Sequence, residues 1–227
     1  MGFLAEKRLK GIETLLPMTL VELQPGRSRH QRRGYLGTSI DQIAARAGVS
    51  KPTVYRFFAD KEALLEAIVL GTLDRAGDPF RAKLPGLTGS ENLAADLQKL
   101  ARSYIAMITQ PSVLQLRRLV IGASHQLPEL ARAYYDRAHE QTLRALADAF
   151  RQLANRGLLR IDDPLLAASH FAFLVVGRVL DKSFFYRDAP FSRRELNAQA
   201  NAGVQAFLRA YAPHPHDATG RVANHQA

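Results

Sequence analysis

Between Thr38 and Lys61 the chain gathers hydroxyl, phenol and cationic side chains at spacings suited to hydrogen bonding with nucleic acid. Val54, Phe57 and Phe58 fall on one helical face, which leaves Lys51, Thr53, Tyr55 and Arg56 free to touch something outside. A threonine hydroxyl and an ammonium in a first helical turn reach base edges or the adjacent backbone, while a phenol and a guanidinium reach phosphate oxygens. Lys61 opens the next helix, whose N-terminus already favours a phosphate, and Thr38 and Ser39 open the preceding one with the same potential.

Other chemistries lack their residues. Zero cysteines exclude disulfides, thiolate zinc sites and cysteine nucleophiles, and fit a cytoplasmic protein. No glycine-rich phosphate loop, zincin pair or nucleophile elbow occurs. His214 and His216 sit in a polar tail, His125 and His170 read as structural histidines, and Asp162-Asp163 reads as a helix start. No catalytic residue, metal site or cofactor is expected, so the chain is read as a non-enzyme. Charge favours a polyanion partner: the formal net charge is +10, and residues 27–61 hold eight Lys and Arg against Asp41 and Asp60. Residues 2–20 are not expected to be a signal peptide, because charges and Pro17 break any apolar run, and no lipid anchor points to a membrane.

The elements that must hold the polar cluster are legible from caps and periodicity. Thr38 or Ser39 caps a short helix through Ile40, Ile43, Ala44 and Ala47, with Asp41 completing a capping box from Thr38, and Gly48 stops it. Ser50 caps a very short second helix that tolerates Pro52 in its first turn. Asp60 caps again before a longer helix through Ala63, Leu64, Ala67, Ile68 and Leu70, expected to end near Leu73. Two short helices around a glycine turn, the second carrying hydroxyl and cationic groups, have the form of a helix-turn-helix.

The stretch TSIDQIAARAGVSKPTVYRFFADKEALLEAIV resembles the DNA-binding signature of TetR-type transcriptional regulators, nearly position by position from Gly34 to Val69. The resemblance implies that Thr38, Ser39, Lys51, Pro52, Thr53, Tyr55, Arg56 and Lys61 form the DNA-binding surface. Residues 1–33 depart from the pattern: HQRRGYLGTS lacks the apolar spacing of a first helix, and Pro17 and Pro25-Gly26 interrupt the nearest apolar run. RLVIGASHQLPELARAYYD followed by NRGLLRIDDPLLAA is similar to the C-terminal domain of the AefR-like branch of that family.

The remaining chain reads as helices throughout, so the fold class is all-α: an N-terminal helix-turn-helix domain (34–75) plus a C-terminal helical ligand-binding and dimerisation domain (90–212), with a disordered tail at 213–227. Residues 77–90 read as the connection, with Ser90 as the next cap. One long helix is expected from Pro128 to Asn155, stopped at Gly157. The segment after Asp163-Pro164 is apolar on nearly every side, which requires burial on two faces, and Ser192 with Glu195 starts the last helix. These two helices are the expected dimer interface, with Val176 and Phe207 as its test positions. Tyr104, Met107, Leu116, Val120, Tyr134, Phe171 and Phe173 are the candidate lining of an effector pocket; ordinary core packing explains the same residues.

The expectation is therefore a dimeric regulator on a palindromic double-stranded DNA operator, a repressor released by a small-molecule effector. The alternative is a helical ligand-binding or interaction protein without operator binding. The sequence does not name the effector, the operator or the regulated genes.

Overall fold

A computed structural model describes residues 39–46, 50–186 and 191–213, and every regular element among them is helical. Residues 1–33, which depart from the family pattern, and the tail histidines lie outside these residues, as does Thr38. The chain divides into two compact units: the described residues up to Ala76 with Gln110–His139, and Gly77–Thr109 with the described residues from Glu140 onward. Division by packing thus groups residues 110–139 with the helix-turn-helix, a different criterion from the functional boundaries drawn at 75 and 90.

In the first unit, α1 (Ile40–Arg46), α2 (Lys51–Phe57) and α3 (Lys61–Arg81, its part up to Ala76) meet α6 (Pro111–Ala123) and α7 (Pro128–Tyr135). Their apolar stripes form one core, in which Ile40, Ala44, Val54, Leu64 and Ile68 join Leu116, Val120, Leu127, Leu130 and Tyr134. Arg137 adds a two-pronged ion pair to Asp74 on α3, with N–O distances of 2.7 and 2.6 Å.

The second unit contains the end of α3, α4 (Leu84–Thr88), α5 (Leu93–Ile108), α8 (Gln141–Asn155), α9 (Pro164–Phe185) and α10 (Arg193–Tyr211). Phe150, Phe171 and Phe207, all fully buried, pack with ring centroids 5.1 to 5.5 Å apart. Gly203 allows a close approach of α10 to α9: a Cβ there would lie 2.7 Å from the Leu174 carbonyl oxygen.

Several local expectations hold. Asp163 accepts from the amides of Leu165 and Leu166, Ser192 and Glu195 form a capping box, and Gly157 takes a positive φ of 72° after α8. Others are corrected. Helix α3 does not stop near Leu73 but continues through Pro79 to Arg81, and α4 follows within the expected connection. A proline inside a helix costs about 3 kcal/mol. Here Phe80 is buried, with its ring 5.1 Å from that of Tyr104, and this tertiary anchor offsets the loss. Asn92 rather than Ser90 caps α5; Ser90 is buried and donates to Asp96 at 2.7 Å. The helix expected from Pro128 to Asn155 is interrupted by a π-helical turn at Asp136–Glu140, which inserts a residue and resets the register of the face beyond it.

Helix α9 is long and apolar enough to span a membrane by length and composition. One of its faces is core, where Ala167, Ala168, Phe171, Ala172, Val175, Val176 and Val179 are all buried. Val176 and Phe207 are therefore interior residues of one protomer and not interface positions as expected. The other face leaves Leu166, Phe173 and Phe184 exposed.

Candidate nucleic-acid interface

The start of α1 is built by Ser39. Its hydroxyl accepts from the Gln42 amide at 3.2 Å, and its own amide donates to Gln42 Oε1 at 3.1 Å. A capping box therefore runs from Ser39 to Gln42; the one expected from Thr38 to Asp41 rests on Thr38, outside the described residues. The pairing obeys the same three-residue rule, and glutamine serves at its third position as well as an acid does.

Asp41 has another task. Its carboxylate receives Lys51 Nζ at 2.9 and 3.0 Å, so the first turn of α1 is tied to the first residue of α2. That hydrogen bond, followed by the charge itself, raises the lysine's pKa. Sequence reasoning missed the pair because ten residues and a turn separate its partners.

Helix α2 begins at Ser50, whose hydroxyl accepts from the Thr53 amide at 3.3 Å and lies 2.8 Å from the Thr53 hydroxyl. Pro52 occupies the first turn, where its missing donor leaves no bond unmade. Val54 is buried, whereas Lys51, Pro52, Tyr55 and Arg56 are exposed and Thr53 is half-buried. The Arg56 guanidinium lies 4.8 Å from the Phe57 ring centroid, a contact that leaves its N–H edges available to an acceptor. At the next helix start, Asp60 accepts from the Ala63 amide at 2.7 Å. Lys61 beside it is half-buried, and burial lowers its pKa.

Seven of the eight expected DNA-contacting residues thus lie on described structure. Six fall between the Ser50 cap and the first turn of α3, and the Lys51–Asp41 pair joins that segment to the helix opened by Ser39. The arrangement presents cations, hydroxyls and a phenol over an apolar floor.

The expected effector residues fall in both units. Leu116, Val120 and Tyr134 belong to the core shared with α1–α3. Tyr104, Met107 and Phe171 are buried in the second unit, and Phe173 is 59% exposed, not interior. One polar cluster escaped sequence reasoning: Arg117, 4% exposed, donates from Nε to the Tyr134 hydroxyl at 3.2 Å and lies 3.0 Å from His139 Nε2 through Nη2. Burial and then the guanidinium charge push the His139 pKa down to about 4. No group of three or more potential metal ligands occurs among the described residues.

Residues 26–68 match the family profile for bacterial regulatory proteins of the tetR family, beginning upstream of Gly34. Residues 95–213 match the C-terminal domain of AefR-like transcriptional repressors. Among solved structures, a chain from Mesorhizobium loti MAFF303099 assigned to the TetR family of transcriptional regulators is 34% identical, with a TM-score of 0.84 over 94% of this chain and 100% of that one. The flavonoid-responsive regulator FrrA is 27% identical, with a TM-score of 0.69 over 90% of this chain and 98% of FrrA. A TetR-family regulator from Pseudomonas syringae pv. tomato DC3000 is 26% identical, with a TM-score of 0.67 over 89% and 97% of the two chains. No curated protein gave a match.

Proposed function

This chain belongs to the TetR family of bacterial regulatory proteins, and from that premise we propose that it is a cytoplasmic, dimeric, sequence-specific repressor that a small-molecule effector releases from a palindromic operator. The observation that carries the reading is the exposed donor set on and around α2, with Lys51, Tyr55 and Arg56 standing outward from a helix anchored by buried Val54. One short helix reads few base pairs, so useful specificity needs two copies on two half-sites. The exposed apolar face of α9, with Leu166, Phe173 and Phe184, supports a self-complementary contact between protomers.

Release requires an effector whose affinity differs between the DNA-competent and incompetent states. Leu116, Val120 and Tyr134 share a hydrophobic core with Val54 and Leu64, so displacement of α6 or α7 repacks the floor beneath the recognition helix. A small apolar or aromatic molecule is the effector class that the buried Tyr104, Tyr134 and Phe171 favour, and the similarity to a flavonoid-responsive regulator points the same way. The reading assigns no catalytic step.

A gel shift on the promoter of the protein's own gene and of its neighbours tests it. Retarded DNA is expected, with the shift reversed by an effector that also raises thermal stability. No shift on any of these promoters at micromolar protein, at low salt, would overturn it.

A further inference from the structure

The second unit carries a cleft of 510 Å³ whose rim holds four cations, Lys83, Lys99, Arg102 and Arg193. They come from three places: Lys83 precedes α4, Lys99 and Arg102 lie one turn apart on α5, and Arg193 opens α10. Ala106 and Leu196 supply an apolar wall, and no carboxylate lines the cleft.

The charges are only partly balanced. Lys99 pairs with Asp96 at 3.0 Å. Lys83 donates to the Ser103 hydroxyl at 2.7 Å and Arg102 to the Gln98 carbonyl at 3.2 Å, both neutral acceptors that leave the cationic charge standing. Glu195 on α10 accepts from the Ser192 amide and hydroxyl at 2.8 and 2.7 Å, bonds that favour its charged form, so the four cations outnumber the two nearby acids, Asp96 and Glu195.

Like charges crowded in a cleft with low-dielectric walls repel one another and concentrate an anion from solution. A charge-assisted hydrogen bond from an arginine to an anionic oxygen then adds directional strength. The volume falls within the range of small-molecule sites and is too small for a nucleic-acid duplex. The apolar wall would be wasted on an inorganic ion, and the cations on a neutral hydrocarbon.

We propose that this cleft binds an amphipathic organic anion, a carboxylate or phosphate monoester on a short apolar body. The head group sits among Lys83, Arg102 and Arg193, and the body lies along Ala106 and Leu196. The site is distinct from the buried aromatic residues Tyr104, Tyr134 and Phe171, none of which lines it.

Calorimetric titration of the full-length protein with decanoate, decyl phosphate, decanol and inorganic phosphate tests this. At least one decyl anion should bind saturably at one per subunit, and the neutral alcohol and the inorganic ion should bind at least tenfold more weakly. The comparison of decanoate with decyl phosphate decides which head group the site takes. The double variant Arg102→Gln/Arg193→Gln should lose at least tenfold in affinity, whereas Arg209→Gln, at an exposed position late in α10, should not. If thermal melting shows the double variant unfolded, Lys83→Gln takes its place with a loss of at least threefold expected. No saturable binding by either decyl anion, equal binding of decanol or of phosphate, or unchanged affinity in a folded cleft variant would each overturn the proposal.

Discussion

The Lys51 ammonium lies 2.9 Å from an Asp41 carboxylate oxygen, so the cation that opens the recognition helix is already paired before any DNA arrives. Both side chains are largely exposed, which makes the pair a matter of positioning and local charge more than of stability. Asp41→Asn should release Lys51 and remove an anion from the surface proposed to meet DNA phosphates. Affinity for all DNA sequences should rise, and the salt dependence should steepen by roughly 1 per subunit. Anisotropy titrations at several salt concentrations check it; unchanged slopes would show that Lys51 does not meet a phosphate when released.

Thr53 and Arg56 should fail differently. Arg56→Gln should weaken binding to every sequence and lower the salt slope by roughly 1 per subunit. Thr53→Val keeps the side-chain shape but deletes the hydroxyl, so it should alter sequence preference by about 1 to 3 kcal/mol if that hydroxyl reads a base. Because the same hydroxyl meets Ser50 at 2.8 Å, Thr53→Ser serves as a control that retains the cap contact. Binding to a panel of operator variants separates these outcomes.

Association should run through the exposed face of α9. Phe173→Asp should give a monomer with undiminished helix content in sedimentation and circular dichroism, since Phe173 is 59% exposed within one protomer. Val176→Asp places a charge on a side chain that is 3% exposed and should instead unfold the second unit. A wild-type monomer at micromolar concentration would refute the interface.

Acid should weaken the first unit through His139. Its pKa falls from 6.5 to about 4 because burial and the Arg117 guanidinium oppose a second positive charge, and the Tyr135 ring stacked at 5.1 Å adds no anion. The unfolded chain therefore takes up a proton below pH 6.5 that the folded chain refuses until about pH 4. Stability contributed by this group is full above pH 6.5 and declines as pH falls through that window, by at most about 1.4 kcal/mol per pH unit. Denaturant titrations from pH 7 to 4.5 should show the slope, and His139→Gln should flatten it. An identical slope in the variant would assign the effect to other groups.

The sequence by itself determined what is written within about four residues. Ser50, Asp60, Asp163 and the Ser192–Glu195 box were readable as helix starts because a cap is a bond between a side chain and an amide two or three positions on. The helical class and the outward position of Lys51, Tyr55 and Arg56 followed from 3.6-residue periodicity, which needs no knowledge of the partner. The tertiary structure alone decided which of two apolar faces on α9 is core, placing Val176 inside and Phe173 outside. It carried α3 past Pro79 by anchoring Phe80 against Tyr104. It also gave Asp41 to Lys51 and Arg117 to His139, and grouped Leu116 in one hydrophobic core with Val54 of α2. The physical reason is common to all of these: burial and ion pairing are settled between segments distant in sequence, where no local period or cap records the partner.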